Sequence, residues 1–115
     1  MENLIITERE GANYKLYELT GGLNAYTLGD FAEKLYASVL DRNVVLDMSK
    51  LIEIDSSGLG LVMAAFNDAV DAEHKLYLLS ISSEVDRALL DSGFRSRHGQ
   101  IYVPRMQLYH HQQAG

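Results

Sequence analysis

Two serines and a carboxylate stand together in the middle of the chain, in the run Asp55-Ser56-Ser57-Gly58. A serine hydroxyl can accept a phosphoryl group, and the modified side chain carries about −1.5 to −2 charge at neutral pH. The neighbouring carboxylate adds to this negative field, so an acidic or apolar protein surface would bind the modified form less well. These residue types predict a site at which phosphorylation controls protein binding.

The run is predicted to lie where a buried strand gives way to a helix. Positions 44–48 before it are mostly apolar, as expected for a buried strand, and positions 51–54 are predicted to be a short lead-in to the helix. After it, apolar residues recur at the helical period, at Leu59, Val62, Met63, Phe66 and Val70. Residues 55–57 are therefore expected at a helix N-terminus, where free backbone N–H groups and the helix dipole favour an anion.

The other side of this helix is predicted to be a shallow docking strip of small, partly apolar residues. Its members are Leu61, Ala64, Ala65, Asp68 and Ala72. We expect Leu61→Glu or Ala65→Glu to impair docking and to leave the fold intact. Gly58 and Gly60 each cost a helix about 1 kcal/mol relative to alanine. Either close packing on the sheet or close approach of a partner to the serine offsets that cost.

The remaining pattern predicts alternating strands and helices, an α/β arrangement. Strands are predicted at 4–7, 14–19, 44–48, 75–80 and 101–103, with a break at Gly21-Gly22. Helices are predicted at about 28–40, from Ser57 to about Ala72, and from Ser83 to Gly93, with Thr27 as the first N-cap. Strands joined through a helix are expected to lie parallel.

Composition excludes several classes of function. The 115 residues are 47% hydrophobic, which suits one compact domain. A short C-terminal tail is predicted at 104–115, because Pro104 stops the last strand and few apolar residues follow. The chain has no cysteine, so disulfides and thiolate chemistry are excluded. A net charge of −6 argues against a nucleic-acid partner. No apolar run approaches roughly 18 residues, so we expect no membrane insertion and a cytoplasmic location.

Two other kinds of site receive little support. The histidines His74, His98, His110 and His111 do not form a compact ligand pattern, so neither a metal nor a cofactor is predicted. Ser56 as an acyl-transfer nucleophile is a hydrolase alternative, but the G-x-S-x-G elbow is absent.

The central motif resembles the signature of STAS domains, and in particular of bacterial anti-sigma factor antagonists. The resemblance is carried by residues 44–49 and 54–60. Residues 25–27 with 31–35 are similar to the family's first helix, and 82–85 with 92–94 to its third. The resemblance covers roughly residues 14–103, which it implies are the core of the domain. It implies a single STAS-like domain with a small mixed β-sheet and helices packed mainly on one face.

The resemblance also implies a partner-switching role without catalysis. In its unphosphorylated form the domain would bind an anti-sigma factor serine kinase, which would then phosphorylate Ser56, with Ser57 as the alternative acceptor. A serine phosphatase would reset the switch. ATP and magnesium would belong to the kinase, and the resemblance does not define an oligomeric state. The alternative is a non-catalytic STAS scaffold or an accessory subunit of a signalling or transport complex.

The partner-binding residues implied by this reading surround the serines. They are Asn24, Asp55, Ser57, Gly58, Leu59, Gly60, Leu61 and Ala65. Asn24 departs from the family, which usually has an acidic residue there. Either the loss of a negative charge alters how the kinase reads the site, or the asparagine simply serves the turn.

Overall fold

The computed structural model describes residues 3–79, 81, 83–91 and 102–103. The strands are β1 (Leu4–Glu10), β2 (Tyr14–Leu23), β3 (Asn43–Ile54), β4 (Leu76–Leu79) and β5 (Tyr102–Val103). The helices are α1 (Leu28–Asp41), α2 (Ser56–Asp71) and α3 (Ser83–Asp91). Along the chain these elements follow the order β1-β2-α1-β3-α2-β4-α3-β5.

The strands form a mixed sheet in the spatial order β1-β2-β3-β4-β5. β1 runs antiparallel to β2, as expected for a hairpin with a short connection. The pairs β2–β3, β3–β4 and β4–β5 are parallel, and a helix connects the strands of each pair. The mixed α/β architecture expected from the sequence is confirmed.

The main core lies between the sheet and the helices. Every second residue of the central strands faces it, because side chains alternate across a strand. Buried members from the strands and α1 are Tyr17, Leu19, Leu46, Met48, Leu78, Phe31, Leu35 and Val39. A separate cluster of Leu16, Val45 and Leu79 lies on the other face of the sheet. Burying each large apolar side chain contributes roughly 2 kcal/mol to the stability of the folded domain.

Three predicted strand ends are wrong. β1 continues to Glu10 rather than ending at residue 7. β3 is one continuous strand to Ile54 rather than a strand followed by a lead-in. Gly21 and Gly22 do not end β2, which continues to Leu23 with an irregular register opposite β3 at the two glycines. Gly21 has φ +104°, and a Cβ there would meet the Asn3 carbonyl oxygen. Glycine lets the strand bend at this point without breaking.

Thr27 directly precedes α1 as predicted, but its side chain does not cap the helix. The Thr27 hydroxyl instead donates to the Gly22 carbonyl oxygen at 2.8 Å and accepts from the Asn24 N–H at 3.0 Å. It therefore ties the β2–α1 loop to the end of β2. The predicted end of the third helix at Gly93 and the tail at 104–115 lie outside the described residues.

Candidate functional site

Asp55 occupies the junction between β3 and α2. Its backbone is extended, with φ −105° and ψ −175°, and it is the N-cap of α2. One carboxylate oxygen accepts from the Gly58 N–H at 2.9 Å, and the other accepts from the Ala25 N–H at 3.1 Å. The Asp55 N–H donates to the Leu23 carbonyl oxygen at 3.2 Å. The same side chain therefore caps the helix and fastens the β2–α1 loop to it.

These contacts hold a negative charge beside the serines. The Gly58 N–H is the largest cause that lowers the pKa of Asp55 below its ordinary value of 3.8, and the backbone N–H groups of Ala25 and Ser57 add to it. Partial desolvation opposes the shift without reversing it. Because the pKa of Asp55 is low, its carboxylate is ionised at neutral pH.

Ser56 and Ser57 form the start of α2, as the sequence predicted. Both residues are exposed to solvent. Neither hydroxyl makes a hydrogen bond with any part of the chain that the structure describes. Both oxygens are therefore reachable from solvent at the end of the helix where backbone N–H groups favour an anion.

The two glycines that follow have different surroundings. Gly58 is buried, and a Cβ there would lie 2.5 Å from the Leu23 carbonyl oxygen and 2.9 Å from Ile54 Cγ1. Close packing against the ends of β2 and β3 therefore accounts for Gly58. Gly60 is exposed, and apart from its chain neighbours and the nearby backbone of the helix itself a Cβ there would have no described heavy atom within 4 Å. Packing does not account for Gly60, which leaves bare backbone on the surface.

The predicted faces of α2 are partly wrong. Its buried residues, here called the inner stripe, are Gly58, Leu61, Val62, Ala65 and Ala69. Leu61 is 5% exposed and Ala65 is 0% exposed, so the expectation that they form an exposed docking strip is incorrect. Val70, expected in the core, is 56% exposed. The helix packs against α1, β3 and β4, and small residues lie where backbones approach closely.

The opposite side of the helix forms an outer stripe of Ser56, Gly60, Met63 and Asn67. Their spacing of four, three and four residues places them on one side of an α-helix. Ser56, Gly60 and Asn67 are exposed, and Met63 is partly buried. The surface accessible to a partner on α2 therefore begins at Ser56 and runs through Gly60.

The β2–α1 loop lies beside these serines because of its bond to Asp55. Tyr26 in this loop is 80% exposed, although its backbone N–H donates to the Asn24 side-chain oxygen at 2.9 Å. A large aromatic side chain is thus presented to solvent on a loop that is itself hydrogen-bonded. We define the switch surface as the exposed residues of the loop and the first helical turn, namely Ala25, Tyr26, Ser56, Ser57 and Gly60.

Asn24 lies behind the switch surface and is only 4% exposed. Its side-chain oxygen accepts from the Tyr26 N–H and so stabilises the turn, which is one of the two roles considered from the sequence. Its amide nitrogen also donates to Glu53 Oε1 at 2.7 Å. The sequence did not single out Glu53, because 29 residues separate the two partners and no local pattern links them.

The residues predicted to bind a partner are therefore divided by burial. Ser57 and Gly60 are exposed, and Asp55 and Leu59 are partly buried. Asn24, Gly58, Leu61 and Ala65 are buried, so they are not accessible to a partner in this structure.

Three further observations concern a metal site, the surroundings of His74 and membrane-spanning helices. Among the described residues, no three His, Asp or Glu side chains come together as ligands of a metal ion. His74 Nδ1 lies 2.7 Å from the Val39 carbonyl oxygen in the last turns of α1. The helices of the described part of the chain are all too short or too polar to cross a bilayer.

Comparison with known proteins identifies the fold. A family model described as STAS domain matches residues 3–103. A search of curated protein sequences finds no match. The solved structure of the Bacillus cell fate determinant SpoIIAA in its phosphorylated form has a TM-score of 0.76 at 15% identity, covering 96% of this chain and 100% of that one.

Two other solved structures show how widely the fold is used. An anti-sigma factor antagonist from Mycobacterium paratuberculosis has a TM-score of 0.78 at 13% identity, covering 96% of this chain and 94% of that one. The murine anion transporter Slc26a9 has a TM-score of 0.72 at 17% identity, covering 93% of this chain but only 19% of the transporter. At these identities the similarity establishes the fold alone.

Proposed function

Because the chain belongs to the STAS domain family, we propose that it is an anti-sigma factor antagonist that binds an anti-sigma factor serine kinase until Ser56 is phosphorylated. STAS domains are generally non-catalytic binding domains. The observation that carries the proposal is the exposed hydroxyl of Ser56, which directly follows an ionised carboxylate at the start of a helix.

The position of Ser56 allows modification without loss of the fold. It is the first residue of a 16-residue helix, where the helix dipole and free N–H groups stabilise a negative group. The Gly58 N–H is already satisfied by Asp55, so the phosphate does not have to replace the cap. The phosphate would therefore act on the surface and leave the core unchanged.

The charge on the switch surface supplies the reason for release. Asp55 already contributes one negative charge, and phosphorylation adds about −1.5 to −2 more at neutral pH. A partner that packs an apolar or acidic surface against Tyr26 and Gly60 would have to bury or face this charge. A penalty of only about 1.4 kcal/mol weakens binding tenfold. Exposed aromatic residues such as Tyr26 are frequent anchors of protein interfaces.

The outer stripe favours Ser56 over Ser57 as the acceptor. Ser56 continues the line of Gly60 and Asn67, whereas Ser57 is offset from that line by about 100° around the helix axis. An enzyme approaching the exposed side of α2 meets Ser56 directly. Gly60 leaves open space beside Ser56, since no described atom other than the chain neighbours and nearby helix backbone lies within 4 Å of where a Cβ would stand at Gly60.

Phosphoryl acceptance tests this proposal. The chain and its Ser56→Ala, Ser57→Ala and Ser83→Ala variants are incubated with the anti-sigma factor kinase of the same genome and Mg-ATP, and the sites are mapped by mass spectrometry. Ser83 is an exposed serine at the start of α3 and serves as the matched control. We expect Ser56→Ala alone to abolish modification, and a serine phosphatase to reverse it in the wild-type chain.

Two results would contradict the proposal. Modification that persists in Ser56→Ala and disappears in Ser57→Ala would transfer the switch to Ser57. A wild-type chain that remains unmodified while still binding the kinase or another protein would support the alternative of a STAS scaffold or accessory subunit.

A further inference from the structure

Glu53 and Asn24 form a hydrogen-bonded pair directly beneath the switch surface. Glu53 lies near the end of β3, two residues before Asp55, and is partly buried. Its Oε1 accepts from the Asn24 amide nitrogen at 2.7 Å, which is short for an N–H···O bond and typical of a charged acceptor. The bond joins the end of β3 to the β2–α1 loop.

The Asn24 side chain uses both of its polar atoms. The nitrogen donates to Glu53, and the oxygen accepts from the Tyr26 N–H at 2.9 Å. Fixing the amide by one atom therefore orients the other, which in turn holds the backbone that carries Tyr26. Since Asn24 is 4% exposed, water does not readily substitute for either bond.

Two carboxylates at the end of β3 thus hold the loop at two neighbouring residues. Glu53 holds Asn24, and Asp55 accepts from the Ala25 N–H at 3.1 Å. The Asn24 amide is also the appropriate partner for Glu53, because it presents a hydrogen-bond donor to a carboxylate. An aspartate at position 24 would place a carboxylate oxygen where the amide nitrogen now meets Glu53, replacing a donor by a like charge. The amide is required because its partner is an acid.

We propose that the Asn24–Glu53 hydrogen bond is the latch that holds the β2–α1 loop in its binding geometry, which makes Glu53 a positioning residue for the switch surface. The latch is a property of the isolated chain. Its consequence for the anti-sigma factor kinase rests on the proposed function. Glu53 does not itself touch the phosphate acceptor; it acts through Asn24 on the backbone of Ala25 and Tyr26.

Reversal of the pair gives a sharp test. The amide hydrogen exchange of Ala25 and Tyr26 is measured by NMR in the wild-type chain and in the Asn24→Asp, Glu53→Gln and Asn24→Asp/Glu53→Gln variants. Loss of a charge-assisted bond predicts exchange at least about tenfold faster in Asn24→Asp. Glu53→Gln keeps an acceptor, and we expect exchange within about threefold of the wild-type rate.

The Asn24→Asp/Glu53→Gln double variant tests the hydrogen bond most directly. In it the glutamine nitrogen donates to one aspartate oxygen, while the other oxygen accepts from the Tyr26 N–H. We expect exchange to return to within about threefold of the wild-type rate, which a merely additive loss of stability would not produce. Glu33→Gln is the control, because it also removes one carboxylate charge but at an exposed position of α1 outside the loop. We expect it to leave the exchange rates of Ala25 and Tyr26 unchanged.

Affinity for the kinase is measured in the same proteins. We expect Asn24→Asp to bind about tenfold more weakly and the double variant to recover, because the loop regains its geometry. Unchanged exchange in Asn24→Asp, or no recovery in the double variant, would overturn the latch. Faster exchange with unchanged affinity would overturn the positioning role. A wild-type chain that binds no kinase would overturn the proposed function alone, since the exchange rates decide the latch by themselves.

Discussion

The inner and outer stripes of α2 both contain small residues but occupy opposite environments. Each stripe contains a glycine, and each begins within the first turn of the helix. Gly58 lies against the Leu23 carbonyl oxygen, whereas Gly60 faces open space. Ala65 is completely buried, while Ser56 is exposed to solvent. Residue size alone therefore does not distinguish a packing surface from a binding surface on this helix.

Because of this difference, α2 can accept an added charge on its outer stripe but not on its inner stripe. On the inner stripe a charged group would enter a core that offers it no partner, at a cost of several kcal/mol. On the outer stripe the same group remains hydrated and, at Ser56, meets the favourable end of the helix dipole. A phosphorylation switch requires the second kind of position, and matched substitutions on the two stripes should therefore differ in their effects.

The largest expected effect is on stability. Ala65→Glu and Leu61→Glu place a carboxylate in the core, so we expect each to lower the free energy of unfolding by about 3 kcal/mol or more. Asn67→Glu on the outer stripe should change it by less than about 0.5 kcal/mol. Urea unfolding followed by circular dichroism measures both. Equal stability of Ala65→Glu and Asn67→Glu would show that the stripes are misassigned.

A methyl group at Gly58 is expected to have the next largest effect. A Cβ there would lie 2.5 Å from the Leu23 carbonyl oxygen, a backbone atom that cannot rotate away. We expect Gly58→Ala to destabilise the domain by about 1 to 3 kcal/mol, as overpacking usually does. A variant as stable as wild type would mean that the ends of β2 and α2 are less closely packed than described.

The matched change at Gly60 should have the opposite sign. Beyond its chain neighbours and the nearby helix backbone, no described atom lies within 4 Å of the added methyl group. Because alanine is also the better helix former, Gly60→Ala should raise the free energy of unfolding by up to about 1 kcal/mol. If a partner approaches the bare backbone beside Ser56, the same variant should bind the kinase less tightly. Greater stability with unchanged affinity would remove Gly60 from the switch surface.

The smallest effect concerns pH. The Gly58 and Ala25 N–H groups lower the pKa of Asp55 in the folded protein, so its ionised form contributes stability above the ordinary carboxyl pKa of 3.8. That contribution is lost as the pH falls through the lowered pKa. Asp55→Asn should therefore be less stable than wild type at pH 7, and the gap should narrow below pH 3.8. A gap independent of pH would contradict the assigned charge.

Much of the fold was predictable from local sequence patterns. Apolar periodicity located α1 and α2 and placed residues 55–57 at a helix N-terminus, but it did not single out Asp55 as the cap. The position of the serines at the start of α2 followed from the same pattern. These features depend on residues close in the chain, which is why periodicity and capping chemistry reveal them.

The remaining features depend on tertiary packing. α2 is apolar on several sides, so its period does not show that Leu61 and Ala65 face α1 and the sheet. The Asn24–Glu53 bond and the Ala25–Asp55 bond join residues 29 and 30 positions apart. The prominence of Tyr26 follows from that loop geometry rather than from its neighbours in sequence.

If Ser56 is the proposed switch, a charge there should release the partner while the core stays intact. The most direct measurement is calorimetric titration of the anti-sigma factor kinase with Ser56→Ala and Ser56→Asp, with Ser83→Asp as a matched charge at the start of α3. We predict wild-type affinity for Ser56→Ala and Ser83→Asp, at least about tenfold weaker binding for Ser56→Asp, and a nearly unchanged melting temperature for all three. Wild-type affinity of Ser56→Asp, or weak binding explained by its unfolding, would contradict the account.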